Sequence, residues 1–141
     1  MLVALDANVI VLALTGKPKL RLLARQWLDA LEAQDAHIVT SALSQLECFV
    51  RPHRLANASE LALFRSFFDS VVSVPIEDEV LSLASRIRAR SRAFRTPDAI
   101  HLATAEVIQA DLFLTADRRL MAYDGVRVAY ALRASPRGLD R

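Results

Sequence analysis

Five short apolar runs, each parted from the next by one or more amphipathic segments, constrain this chain more than any other feature of its sequence. Strands are expected over Leu2–Asp6, His37–Thr40, Ser70–Val74, Leu112–Thr115 and Val126–Ala129. Most of these runs are rich in Val, Ile, Leu or Phe, as strands buried on both faces should be. Between them, Leu20, Leu23, Ala24, Trp27, Leu28 and Leu31 recur on one face and predict a helix over Leu20–Gln34. Further helices are expected over Ser41–Val50, Ser59–Asp69, Glu77–Arg92 and Pro97–Gln109, with a short turn after Asp117. Thr96-Pro97 suits a helix opening, with Thr as N-cap and Pro at the first helical position. Strands separated by helices pair in parallel through right-handed crossovers, which predicts an α/β fold: a three-layer α/β/α sandwich around a five-stranded parallel sheet. Ligands of such sheets bind outside the carboxyl ends of the strands. A polar residue directly after a strand is therefore a candidate for function.

With 141 residues and 53% hydrophobic composition, the chain is expected to form one domain over 1–134 with a real core, and a tail over 135–141 that frays. Its only cysteine, Cys48, cannot form an intrachain disulfide or a thiolate zinc site, and a reducing compartment is the simplest assumption. The apolar opening from Leu2 to Leu14 has no basic leader and carries Asp6 and Asn8, unlike a signal peptide. No apolar run reaches the roughly 18 residues of a membrane span. A cytoplasmic protein without a membrane partner is expected. The net charge of +2 does not announce a nucleic-acid binder, but five arginines fall between Arg86 and Arg95. Such a block either contacts phosphates or forms a solvated helix face.

Four acids stand out. Asp6 interrupts the apolar stretch VALDANVIVLAL at the end of the first strand, where a lone ionised carboxylate is costly. It reads either as a cation ligand or as an Asx-turn or N-cap, with Asn8 a second polar group at the same turn. Asp117 follows the fourth strand in DLFLTADRRL, and also suits the first turn of a short helix capped by Thr115. Asp98, in RTPDAIHLATA, sits at the second position of its helix, where an acid meets the helix dipole. His101, one turn on, lies on the same side and reads either as touching the site or, the favoured reading, as an incidental surface histidine. Glu47, in TSALSQLECFVRP, is expected to share or border a buried stripe of Leu43, Leu46 and Val50. The rival is a capping box from Ser44 to Glu47, but Ala42 and Leu43 favour an earlier helix start.

If the strands are ordered 3-2-1-4-5, the first and fourth are adjacent and all four acids reach one edge. Four clustered carboxylates repel unless a divalent cation compensates them. Oxygen-only ligands select a hard ion, Mg²⁺ or Mn²⁺. Metal-assisted phosphodiester hydrolysis is the chemistry such a site suits. Arg51, Arg54, Arg95, Arg118 and Arg119 flank the acidic motifs and are, as a group, candidates for phosphate contacts. Trp27, Phe49, Phe64, Phe67 and Phe68 read as core or dimer interface.

These stretches resemble the PIN-domain family, and in particular the toxin ribonucleases of VapBC toxin–antitoxin systems, over almost the whole chain. VALDANVIV looks like the family's opening strand and D-x-N turn, TSALSQLECFVRP like the second motif, TPDAIHLATA like the third and DLFLTADRRL like the last. The resemblance assigns Asp6, Glu47, Asp98 and Asp117 to a Mg²⁺ site, with Asn8 and Thr115 supporting. It implies RNA as substrate, inhibition by a VapB-type antitoxin encoded alongside, and a homodimer. Ala7 departs from the Thr or Ser that family members often carry there. Two other readings compete. Aspartyl phosphotransfer, as in haloacid-dehalogenase or response-regulator folds, also needs an Asp after strand one, but no lysine occurs after Lys19 and Asn8 stands where the dehalogenase pattern has a second Asp. A degenerate RNA-binding or assembly module would lack one of the acids, and none is missing.

Overall fold

The computed structural model describes residues 1–133; the tail 135–141 and the end of the expected 1–134 domain lie outside the described residues. Five strands form one parallel sheet in the order β3-β2-β1-β4-β5, as expected. They are β1 (Leu2–Leu5), β2 (His37–Ser41), β3 (Val72–Val74), β4 (Leu112–Thr115) and β5 (Val128–Tyr130). In register, Leu5 lies opposite Thr40 and Leu114, and Thr115 opposite Tyr130.

Helices cover both faces. On one lie α1 (Ala7–Thr15), α2 (Pro18–Ala33), α3 (Leu43–Arg54) and α4 (Ala58–Ser70), packed through Val9, Ile10, Trp27, Leu31, Cys48 and Phe64 on Val3, Leu5, Leu112 and Leu114. On the other lie α5 (Asp78–Arg90) and α6 (Thr96–Val107), packed through Val80, Ile87 and Leu102 on Ala4, Val39 and Phe113. Neighbouring strand residues thus point to opposite cores, which is why the strand runs are apolar without alternation.

Three local features depart from expectation. Helix α1 has no counterpart among the predicted helices: it is apolar almost all round, so no periodicity sets its faces apart. On α3 the buried stripe is Ser44, Cys48 and Pro52, whereas Leu46 and Val50 are exposed. Small side chains let α3 approach closely: Ser44 Oγ lies 2.6 Å from Thr40 Oγ1, and the Cys48 thiol faces the Ala7 carbonyl. Glu47 lies beside this stripe and not within it. Finally, Arg95 is the N-cap of α6 and Thr96 its first residue, one position earlier than predicted, which puts Asp98 at the third position.

Candidate active site

The carboxyl edge of the sheet is held level by backbone bonds that run past the strand ends. Asp6 N–H donates to Leu114 O at 2.9 Å, and Ala131 N–H to Thr115 O at 2.8 Å. Leu5 and Leu114 are fully buried just below, each contributing about 1.5–3 kcal/mol, so the strands keep the polar residues above them in place.

Asp6 is only 6% exposed. It precedes α1 but makes no side-chain cap bond; its Oδ2 accepts from the buried Thr115 hydroxyl at 2.8 Å instead. The same hydroxyl accepts from Asp117 N–H at 3.0 Å, so one threonine ties the first acid to the last. Asn8 Oδ1 accepts from Ala116 N–H at 2.9 Å and fastens the first turn of α1 to the end of β4. Both polar side chains expected in supporting positions are thus engaged at this edge.

Glu47 and Asp98 approach from α3 and α6, and His101 stands among the acids. Its Nε2 is hydrogen-bonded to Glu47 Oε1 and lies 3.8 Å from Asp6 Oδ1. The ring is 3% exposed, so the expectation of an incidental surface histidine is wrong. Nδ1 is also buried, with no hydrogen-bond partner among the described residues. The signal in the sequence was the uncharged run between Asp98 and Glu106, which makes α6 a helix buried on nearly every side.

Asp117 and Asp98 share a second nitrogen partner. Arg119 Nη2 lies 2.6 Å from Asp117 Oδ2 and 3.4 Å from Asp98 Oδ2, while Nη1 donates to Ala93 O at 3.1 Å. Asp98 Oδ2 also accepts from Arg95 N–H at 2.9 Å, which secures the start of α6. Asp117 caps the 3₁₀ turn Arg118–Ala122, accepting from Arg119 N–H at 3.0 Å.

The electrostatics follow from these pairings. Burial pushes the Asp6 carboxyl up, the charges of Glu47 and Asp98 add to the rise, and His101 with the Thr115 bond opposes it. Burial alone would lower His101, but its bond to Glu47 and the charges of Asp6, Glu47 and Asp98 win, so the imidazole is held above its ordinary value. The Arg119 hydrogen bond holds Asp117 below the usual carboxylate range, with Arg95 contributing from a distance.

The four acids are therefore divided between two nitrogen partners, His101 for Asp6 and Glu47 and Arg119 for Asp98 and Asp117. Among the described residues, no three His, Cys, Asp or Glu side chains converge at metal-ligand spacing. The donor set still fits a hard divalent cation: all four acids offer oxygen, and Asp6 is a buried carboxylate that needs positive charge beside it. Arg119, which bridges Asp98 and Asp117, is 47% exposed.

The arginines expected near phosphate do not all gather here. Arg95 and Arg119 do, and Arg118 lies over the Tyr130 ring at 5.3 Å. Arg51 is turned to Glu60 of α4 at 4.0 Å, and Arg54 is exposed in the last turn of α3, two turns beyond Glu47.

An acidic edge on a small, all-parallel sheet with helices on both faces defines a class of α/β proteins with one carboxylate-lined pole. The PIN domain family model matches residues 3–126, and the chain belongs to that family. No curated protein sequence matches it. Among solved structures, VapBC2 from Rickettsia felis bound to a DNA fragment from its promoter has a TM-score of 0.77 at 13% identity, over 92% of this chain and 98% of that one. DNA-bound VapBC from Salmonella typhimurium has a TM-score of 0.75 at 17% identity, over 93% and 99%. FitAcB from Neisseria gonorrhoeae has a TM-score of 0.69 at 20% identity, over 92% and 97%. At these identities the likeness is one of fold.

Proposed function

We propose that this chain is a Mg²⁺-dependent endoribonuclease, with Mn²⁺ as a substitute ion, and the toxin of a toxin–antitoxin pair restrained by a VapB-type antitoxin. The observation that carries the reading is the placing of four acids at one edge, Asp6 and Glu47 meeting at His101, Asp98 and Asp117 bridged by Arg119, and Asp6 tied to Asp117 through Thr115. Family membership supports nuclease chemistry, and the similar folds of toxin–antitoxin complexes support the partner.

In this reading Asp6, Glu47, Asp98 and Asp117 hold the metal. A bound Mg²⁺ supplies an activated water and offsets charge on the scissile phosphate. Thr115 orients Asp6, and Asn8 keeps the first turn of α1 against β4, so the ligand edge stays rigid. Arg95, Arg118 and Arg119 offer guanidinium groups to the phosphate backbone. Exposed Leu46, Val50, Leu55 and Leu63 on or beside α3 and α4 supply the apolar surface that an antitoxin or a second copy in a homodimer would cover. The reading makes the protein cytoplasmic; among the described residues no helix is long and apolar enough to cross a membrane.

The test is cleavage of single-stranded and structured RNA with Mg²⁺ and with chelator, using wild type, Asp6→Asn and Asp98→Asn. Cleavage is expected only with the ion, and each variant should lose about 100-fold or more. Variants that cut as well as wild type would overturn the site. An RNA that is bound and never cut would instead identify a non-catalytic binding module.

A further inference from the structure

A cavity of about 260 Å³ lies between α5, the carboxyl end of α6 and the segment that follows Arg118. Its walls include Arg86 and Arg90 from α5, Phe94 from the loop before α6, Glu106 from α6, and Tyr123. We propose that this cavity is a nucleobase subsite for a guanine of the RNA, with Glu106 reading the base edge and Arg86 and Arg90 holding the neighbouring phosphate. The inference rests on the ribonuclease reading for its polymer, but the pocket can be tested without it.

Three observations carry it. First, the cavity combines the groups that bind an unstacked base. Phe94 and Tyr123 meet edge to face with centroids 6.0 Å apart, giving an aromatic wall. Guanidinium groups and a carboxylate complete the lining, and single-stranded bases are held by stacking and by bonds to their Watson–Crick edge.

Second, the carboxylate is fixed and has capacity left. The Tyr123 hydroxyl donates to Glu106 Oε2, and Glu106 Oε1 has no hydrogen-bond partner among the described residues. A β-carbon at Gly125 would stand 2.3 Å from that Oε2 and 2.4 Å from the Tyr123 oxygen, so glycine leaves room for the pair. Guanine presents two N–H donors side by side on its pairing edge, the pattern a carboxylate accepts with both oxygens. Adenine, cytosine and uracil do not offer that pair.

Third, one loop joins the cavity to the acidic edge. Arg119 Nη1 donates to Ala93 O, and the next residue, Phe94, packs on Tyr123. The loop between α5 and α6 thus has Asp98 and Arg119 at one side and the cavity at the other. The arginine block expected either to contact phosphates or to be solvated places Arg86 and Arg90 at this mouth.

The experiment is calorimetric titration of the full chain, in chelator, with 5′-GMP, AMP, CMP and UMP. GMP is expected to bind about tenfold more tightly than the other three. Glu106→Gln should abolish that preference with its thermal unfolding unchanged. The exposed pair Arg86→Ala and Arg90→Ala should weaken all four alike. Equal binding of the four nucleotides, no binding of GMP, or a preference that survives Glu106→Gln would overturn the proposal. GMP preference in a protein that cuts no RNA sinks the ribonuclease reading and leaves the nucleotide site standing. RNA cleavage without GMP preference sinks the subsite alone.

Discussion

His101 donates from Nε2 to Glu47 across the gap between α6 and α3, beside the buried carboxyl of Asp6. Its bond to Glu47 and the charges of Asp6, Glu47 and Asp98 outweigh burial and hold the imidazole above its ordinary value. A raised histidine contributes stability that is fully present below the unfolded value of about 6.5 and fades as pH rises through the folded value. Asp6, also raised, acts in the same sense, since its ionised form is the one burial penalises. In metal-free protein, the margin of wild type over His101→Gln in thermal unfolding should therefore shrink as pH is taken upward past this range. A margin that stays constant with pH would show that the ring acts by packing alone.

Arg119 competes with any ion for Asp98 and Asp117. It bridges both carboxylates, and its hydrogen bond is the largest cause of the depressed Asp117 value. A depressed carboxylate contributes stability above its unfolded value and loses it as pH falls through the folded one, so this bridge is intact at neutral pH. Removing it with Arg119→Ala should free the two acids and tighten Mg²⁺ binding a few-fold in a calorimetric titration. Weaker binding in the variant would mean that Arg119 orients the acids for the metal instead of shielding them from it.

Cys48 should be nearly inert. Burial, together with the charges of Glu47 and Asp6, pushes its thiol up to about 12. The thiolate is the reactive form, so an aromatic disulfide reagent should label the native protein far more slowly than the urea-unfolded chain. The native rate should still be rising above pH 9, past the point where an ordinary cysteine has begun to level off. A plateau near the ordinary value would mean that the thiol is not in this environment.

The sequence made the sheet legible because burial on both faces leaves an unusual mark, short runs of Val3, Leu5, Leu112 and Leu114 type with no alternation. It made the acids legible because each of Asp6, Asp98 and Asp117 directly follows or opens an element. Glu47 was singled out for a reason the structure does not share: the supposed apolar stripe of Leu46 and Val50 faces solvent, and the packed face is built from Ser44 and Cys48. His101 was misplaced because a histidine in the second turn of a helix looks like surface until the missing charges around it are noticed. Arg119 escaped as a clamp because its partners Asp98 and Ala93 are far away in sequence. Local patterns report burial; they do not report which distant charges meet.

Thr115 gives the most discriminating test of the edge. Its hydroxyl is fully buried and does two things at once, donating to Asp6 Oδ2 and accepting from Asp117 N–H. Thr115→Val keeps the shape and suits a strand, so backbone geometry in β4 should survive. What is lost is the partner of a buried carboxylate and of a backbone N–H, a penalty of about 1–3 kcal/mol for a group left unsatisfied. Urea unfolding should show a lower midpoint with an unchanged slope. Thr115→Ser, which restores the hydroxyl, should recover most of the loss. RNA cleavage should fall in the valine variant and return with serine, because Asp6 is then held again. Equal stability of valine and wild type would mean that water replaces the hydroxyl at both partners, and the coupling of Asp6 to Asp117 through Thr115 would then have to be abandoned.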